Sequence, residues 1–198
     1  VVGSYGHDSS EPAFFTVLNI IAISGSLRAA STNSALLAAL AANAPADCRV
    51  QLYDGLGRLP IFNPDEEGER TPSEAARLIE MITRADGVIV SCPEYAHGMP
   101  GGMKNALDWL VSGEAAVGKP AMLVHASPRS LYARAALAEI MRTMSFALFG
   151  GGLEIALLGK KPAEIEMILD EEANRQAMRE AVRAFAGSIR GQNVTSSY

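Results

Sequence analysis

The chain has two cysteines, Cys48 and Cys92, in 198 residues. So few thiols make no disulfide framework and lack the paired spacing of a zinc site, so both read as small buried hydrophobes and no metal is expected. Long apolar runs are also missing. The run from Val17 to Ile23 is far too short to span a bilayer, and no basic region followed by an apolar stretch and a cleavage site precedes it. A soluble, cytoplasmic protein without membrane partners is the expectation. Basic excess is lacking too: 17 Lys plus Arg stand against 22 Asp plus Glu, a formal net charge of −5. Nucleic-acid binding, which needs a basic surface to displace counterions from phosphates, is therefore not expected. An anionic ligand would need a local site.

What is present suffices for one core. Apolar residues make up 48% of the chain and charged residues 20%, within the range of a single compact domain of this length. Residues 1–16 are polar, contain Gly and Pro, and show no sustained periodicity, so they read as a flexible leader. The domain is expected over 17–190, with a flexible tail over 191–198.

Val17 to Ser24 is a β-branched apolar run ended by Gly25, the pattern of a strand buried on both faces. The next helix is expected over Asn33 to Ala44, with Leu36, Leu37 and Leu40 on one face, before a second strand over Cys48 to Tyr53. Gly55 to Arg70 reads as a long loop without a core of its own, a type that is often functional. Thr71, Pro72 and Glu74 predict a capping box at the start of helix two, ahead of the stripe Leu78, Ile79 and Ile82. Strand three is expected over Val88 to Cys92, helix three from Pro100, and strand four over Lys119 to Ser127. A fourth helical stripe runs from Leu137 to Leu148, Gly150 to Gly152 break it, Leu153 to Leu158 supply a fifth strand, and Asp170 to Arg190 form the last helix. Strands alternating with helices predict a doubly wound parallel α/β sheet of five strands. Such sheets bind ligands at the carboxyl ends of the strands, where strand order reverses. The loops after strands one, three and four are therefore where the chemistry is sought.

The first loop, Ser24 to Asn33, is neither a dinucleotide fingerprint nor a Walker loop. It nevertheless offers Gly25 for close backbone approach, donors on Ser26, Ser31, Thr32 and Asn33, the guanidinium of Arg28, and a helix N-terminus behind them. A monophosphate suits this set. Capping of the helix is the alternative, and it accounts for Ser31 to Asn33 but not for Ser26 and Arg28.

The loop after strand three, Ser91 to Trp109, completes a pattern. Gly25-Ser26-Leu27-Arg28 with Ser31 and Asn33, then Pro93-Glu94-Tyr95, Pro100-Gly101, Lys104-Asn105-Ala106 and Asp108-Trp109, closely resemble the NADPH-dependent FMN reductase family over roughly residues 17–160. That family includes soluble quinone, azo-dye and chromate reductases. The resemblance implies a flavodoxin-like sheet in the order 2-1-3-4-5, FMN as cofactor, NADPH or NADH as reductant, and a small-molecule electron acceptor such as a quinone, reduced by ping-pong hydride transfer. It implies a homodimer or homotetramer with the flavin near the subunit boundary, and places Pro93, Glu94, Tyr95, Ala96, His97 and Gly98 at the flavin ring. Pro93 and Gly98 would shape that loop, and Ala96 stands where the family has Asn. No catalytic acid or base is needed, because the flavin carries the chemistry.

Ser127 and Pro128 carry over from the family's third loop, but Arg129 to Tyr132 replace its glycines with bulkier residues. Arg129 and Arg134 are either solvated or attract the nicotinamide cofactor's phosphates, and His125 reads as a satisfied core histidine. Trp109 either faces a partner subunit or folds on its own. Two other functions stay open: a flavodoxin-type electron carrier, and a flavin-free relative that keeps the fold for binding.

Overall fold

The apolar run at the head of the domain forms β1 (Leu18–Ser24) in a computed structural model that describes residues 16–195. Its side chains alternate between faces, as the period of a strand requires. Ile21 and Ile23 join the apolar layer that contains Leu78, Met103 and Leu137, while Ile20 and Ala22 join the opposite layer with Leu37, Val182 and Phe185. Both faces are thus covered, which is why the strand reads as a continuous apolar run.

Strand β1 pairs in parallel with β2 (Cys48–Leu52) on one side and β3 (Gly87–Ser91) on the other. Beyond β3 lie β4 (Pro120–His125) and β5 (Ala147–Glu154), so the order is the expected 2-1-3-4-5. The chain leaves β1 for one side and returns to its other side as β3. That reversal puts the loops after β1 and β3 next to each other at the carboxyl edge.

Helices α1 (Thr32–Ala42), α5 (Pro162–Asp170) and α6 (Glu172–Thr195) cover one face. The other is covered by α2 (Ser73–Arg84), α3 (Gly101–Asp108) and α4 (Leu131–Thr143).

Several expectations change. The three glycines do not break a helix before β5: they lie inside it, where the pairing register slips between Ala121 and Leu123. A Cβ on Gly152 would lie 2.6 Å from the Leu123 carbonyl oxygen, so glycine is there to let β4 approach a bulged edge strand. The last helix, expected from Asp170, begins at Glu172 because Glu171 leaves helical geometry at ψ 133°, and a helix that was not expected, α5, precedes it. Helix α6 also runs past Arg190 to Thr195, so 191–195 are helical rather than a loose tail. Residues 1–15 of the expected leader and 196–198 of the tail lie outside the described residues.

The capping box at α2 does not form. Pro72 is the cap rather than the first helical residue, the Thr71 hydroxyl donates to the Gly68 carbonyl at 2.9 Å, and Glu74 pairs instead with Arg58 and Arg77. The long loop before α2 is not without a core either, since Leu56 and Leu59 are buried.

Candidate functional site

The first loop begins where β1 meets β3. Gly25 N–H donates to the Ser91 carbonyl at 2.8 Å, and a Cβ on Gly25 would lie 2.8 Å from Cys92 Sγ. Only glycine allows this approach. Serine hydroxyls then fold the loop onto α1: Ser31 Oγ accepts from Ser34 N at 3.2 Å as the N-cap, and Ser24 Oγ accepts from Ser34 Oγ at 2.9 Å. Ser26 Oγ accepts weakly from Arg28 N at 3.4 Å. Asn33 is buried and its Oδ1 accepts from Ser91 Oγ at 2.9 Å, tying α1 to β3.

Three kinds of donor are left over. The N–H groups of Thr32 and Asn33 open α1 without partners among the described residues, as the first turn of any helix does. Asn33 Nδ2 has none either, and Arg28 extends an exposed guanidinium that forms no ion pair with a described residue. No carboxylate occurs between Ser24 and Asn33 to neutralise them. Free N–H groups, a helix N-terminus and an unpaired guanidinium together fit a phosphate.

The second loop is a hairpin turn. Tyr95 and Gly98 exchange both backbone hydrogen bonds, at 2.9 and 3.0 Å, around Ala96 at φ 49° and His97 at φ 60°. Two successive left-handed residues define a type I′ turn, which Asn and Gly adopt most readily. The left-handed geometry falls on Ala96 and His97, whereas at Gly98, expected to help shape the loop, an added Cβ would find only the Tyr95 carbonyl at 3.8 Å. The Asn of the family's pattern at position 96 has a conformational reason, and Ala96 adopts the same geometry without that advantage. Tyr95 is 54% exposed, with its face open. Just before the turn, Cys92 is buried and its thiol is pushed up to about 12 by burial, which makes it inert.

The third loop is joined to the second. Glu94 Oε2 accepts from the backbone N–H groups of Tyr132 at 2.8 Å and Ala133 at 3.1 Å, and the His97 and Tyr132 rings stack 4.4 Å apart at 22°. Ser127 stays within its own loop, its Oγ accepting from Arg129 N at 3.1 Å and its carbonyl from the Arg134 guanidinium; Pro128 is exposed beside it. Arg134 also pairs with Glu154 at 2.6 Å, so it is not free to attract phosphates. His125 is half-buried near that pair, and burial, followed by the Arg134 charge, lowers it to about 4, so the ring is neutral at pH 7.

The remaining family residues build the platform. Asn105 Nδ2 and Trp109 Nε1 both donate to the Pro60 carbonyl, at 2.8 and 2.9 Å, while Asn105 Oδ1 accepts from Phe62 N at 2.8 Å. Lys104 pairs with Asp108 along the same helix. Trp109 is 2% exposed and packs edge-on against Phe62 at 5.0 Å, so it is a core residue and not a free interface anchor. The signal for this was the spacing of four between Asn105 and Trp109, which puts both on one side of α3.

The structure thus brings Ser26, Arg28, Ser31, Thr32 and Asn33 together around the start of α1. Through Ser91 it links them to the loop of Pro93, Glu94, Tyr95, Ala96, His97 and Gly98. Ser91, and Tyr132 as the partner of His97, were not expected. Two cavities lie apart from these loops, about 320 Å³ beside Thr71 and Trp109 and about 500 Å³ beside His125 and Arg142. The candidate site lies at the carboxyl edge of the sheet, where the loops after β1 and β3 leave side by side.

Fold and site define a flavodoxin-like α/β domain with a cluster of unpaired donors at its topological switch point. Residues 18–157 match NADPH-dependent FMN reductase, and the chain belongs to that family. It is 35% identical over 109 residues to a quinone reductase of Escherichia coli strain K12, an alignment covering 54% of this chain and 58% of that protein, so the chain spans less than two thirds of this relative. It is 33% identical over 131 residues to an NAD(P)H-dependent FMN reductase of Pseudomonas aeruginosa, covering 65% of this chain and 70% of that one. In three dimensions it resembles FerB, a flavoenzyme NAD(P)H:(acceptor) oxidoreductase from Paracoccus denitrificans, with a TM-score of 0.72 at 26% identity over 88% of this chain and 98% of that one. FMN and NAD(P)H are the cofactors of the family. Among the described residues no helix is long and apolar enough to cross a membrane, and no cluster of His, Cys, Asp or Glu could hold a metal.

Proposed function

We propose that the chain is an NAD(P)H-dependent, FMN-containing oxidoreductase that reduces quinone-type acceptors. The observation that carries this reading is the pairing of an acid-free donor cradle, Arg28 with the start of α1, with the open turn Tyr95–Gly98. The cradle suits the phosphate of FMN, and the turn suits a flat ring that needs backbone partners at its edge and an open face. When bound, FMN supplies the hydride-accepting and hydride-donating centre. Ser26, Arg28, Ser31, Thr32 and Asn33 would hold its phosphate end; Pro93 to Gly98, with Ser127 and Pro128, would line the ring. These residues bind, orient and exclude water, and none has to move a proton.

With Tyr95, Ala96 and His97 exposed beside the ring's place, NAD(P)H and acceptor would occupy the same place in turn. The overall change is NAD(P)H plus a proton plus quinone giving NAD(P)⁺ plus quinol. An assembly of two or four chains in the cytoplasm belongs to this reading, supported by the exposed apolar residues Val111 and Val117 beyond α3. Initial rates test it: FMN-loaded protein should oxidise NADPH in the presence of a quinone, with parallel double-reciprocal lines. Intersecting lines would contradict the shared place, and no NADPH oxidation would contradict the activity.

A further inference from the structure

Helix α4 lacks a cap of its own. Ser130 stands at its start with φ −82° and ψ 44°, and its hydroxyl makes no capping hydrogen bond. The first-turn N–H groups of Tyr132 and Ala133 are satisfied by Glu94, a carboxylate 38 and 39 residues upstream in the turn-bearing loop after β3. Both contacts are short, and a negative charge at a helix N-terminus is favourable in itself. One residue after Tyr95, the left-handed pair Ala96-His97 presents the imidazole to Tyr132 in a near-parallel stack. The same two loops are therefore joined twice, once by charge-assisted hydrogen bonds and once by rings. Tyr132 nevertheless stays 58% exposed, and Tyr95 54%. The stacked pair leaves much of the Tyr132 phenol exposed beside the turn Tyr95–Gly98.

We propose that Glu94 is a positioning residue that clasps the loop after β3 to the start of α4, and that the His97–Tyr132 stack it holds is a fixed aromatic wall selecting planar, electron-poor ring acceptors. The selectivity half rests on the oxidoreductase reading above; the clasp does not. An electron-rich phenol ring stacks well on a flat quinone and offers little to an acceptor without a ring. Arg129 to Tyr132 put bulky side chains where the family's pattern has glycines, which supplies the wall.

Amide hydrogen exchange on the full chain as purified tests the clasp. Glu94→Ala should speed exchange at Tyr132 and Ala133 by about tenfold, the size expected for loss of a helix cap. Glu94→Gln, whose amide oxygen still accepts, should restore most of the protection. Unchanged exchange in Glu94→Ala overturns the proposal. In FMN-loaded protein, Tyr132→Ala should raise KM for menadione by roughly three- to tenfold with kcat nearly unchanged, the scale of one lost ring contact. KM for ferricyanide, which has no ring and is reduced two ions per NADPH, should not move. Parallel changes for both acceptors overturn the wall. Failure of wild-type protein to oxidise NADPH at all would contradict the oxidoreductase reading and the wall with it, while exchange still decides the clasp.

Discussion

The loops after β1 and β3 leave the sheet side by side, yet they use their polar groups in opposite ways. The first spends its serine hydroxyls on folding its own backbone and leaves N–H groups and one guanidinium unpaired. The second exchanges backbone hydrogen bonds between Tyr95 and Gly98, leaves the N–H groups of Ala96 and His97 without backbone partners among the described residues, commits Glu94 to a neighbouring helix, and exposes its rings. Unpaired donors around a cation suit an anion; a tight turn with free backbone groups beside exposed rings suits a planar ring with a polar edge. A ligand with a phosphate at one end and a flat ring system at the other matches both, and the contrast can be tested loop by loop.

The largest effect is expected from removing the cation of the first loop. Arg28→Ala should weaken FMN binding by about one to two decades, the loss of one charge-assisted contact of roughly 1.5 to 3 kcal/mol. Riboflavin, with no phosphate, should lose much less. Calorimetric titration of both ligands checks this, and equal losses would remove Arg28 from the phosphate site.

Next is the junction between the loops. Gly25→Ala would set a Cβ 2.8 Å from Cys92 Sγ and 3.3 Å from Cys92 Cα, so β1 and β3 must separate. A cost of about 2 kcal/mol is expected in urea unfolding. Gly101→Ala, where nothing lies within 4 Å, should be close to neutral.

These two glycines show what could be read from sequence. Gly25 ends an apolar run, so its place at the switch point was legible from chain order alone. The meaning of Gly150 to Gly152 was not, because it depends on the carbonyl of Leu123 in another strand. Helix α4 begins at Leu131, six residues before the first residue of the expected stripe, since its cap comes from Glu94 and leaves no local signal. The clustering of the first loop's donors was legible because they are nearly consecutive in the chain. The join between the second and third loops was not, because it pairs residues far apart in sequence. The place of Trp109 stayed open for the same reason: the carbonyl that receives its N–H belongs to Pro60.

A smaller effect should appear with pH, away from both loops. His125 is lowered to about 4 from 6.5, so its neutral form is favoured in the folded chain. At pH 7 it is neutral in both states and contributes no pH dependence. As pH falls below about 6.5 the unfolded chain binds the proton first, and stability is lost until about pH 4. After allowing for partial solvent screening the loss should be about 1 to 2 kcal/mol. His125→Asn should flatten that part of the stability curve in thermal melts, and an unchanged pH dependence would contradict the assignment.

The smallest effect is expected in the second loop. Ala96→Asn places a residue that tolerates the left-handed region at φ 49° and should stabilise the chain by about 0.5 to 1 kcal/mol. A destabilised variant in the same urea titration would mean that the turn is not the one described.

The central claim is that the loops after β1 and β3 hold FMN where NAD(P)H can reach it. The most direct measurement is the visible spectrum of FMN-loaded, gel-filtered protein mixed with NADPH in the absence of oxygen and acceptor. The account predicts that flavin absorption survives gel filtration, bleaches on mixing at least as fast as the enzyme turns over, and returns when a quinone is added. A chain that loses FMN on the column, or keeps it oxidised in the presence of NADPH and NADH, would contradict it.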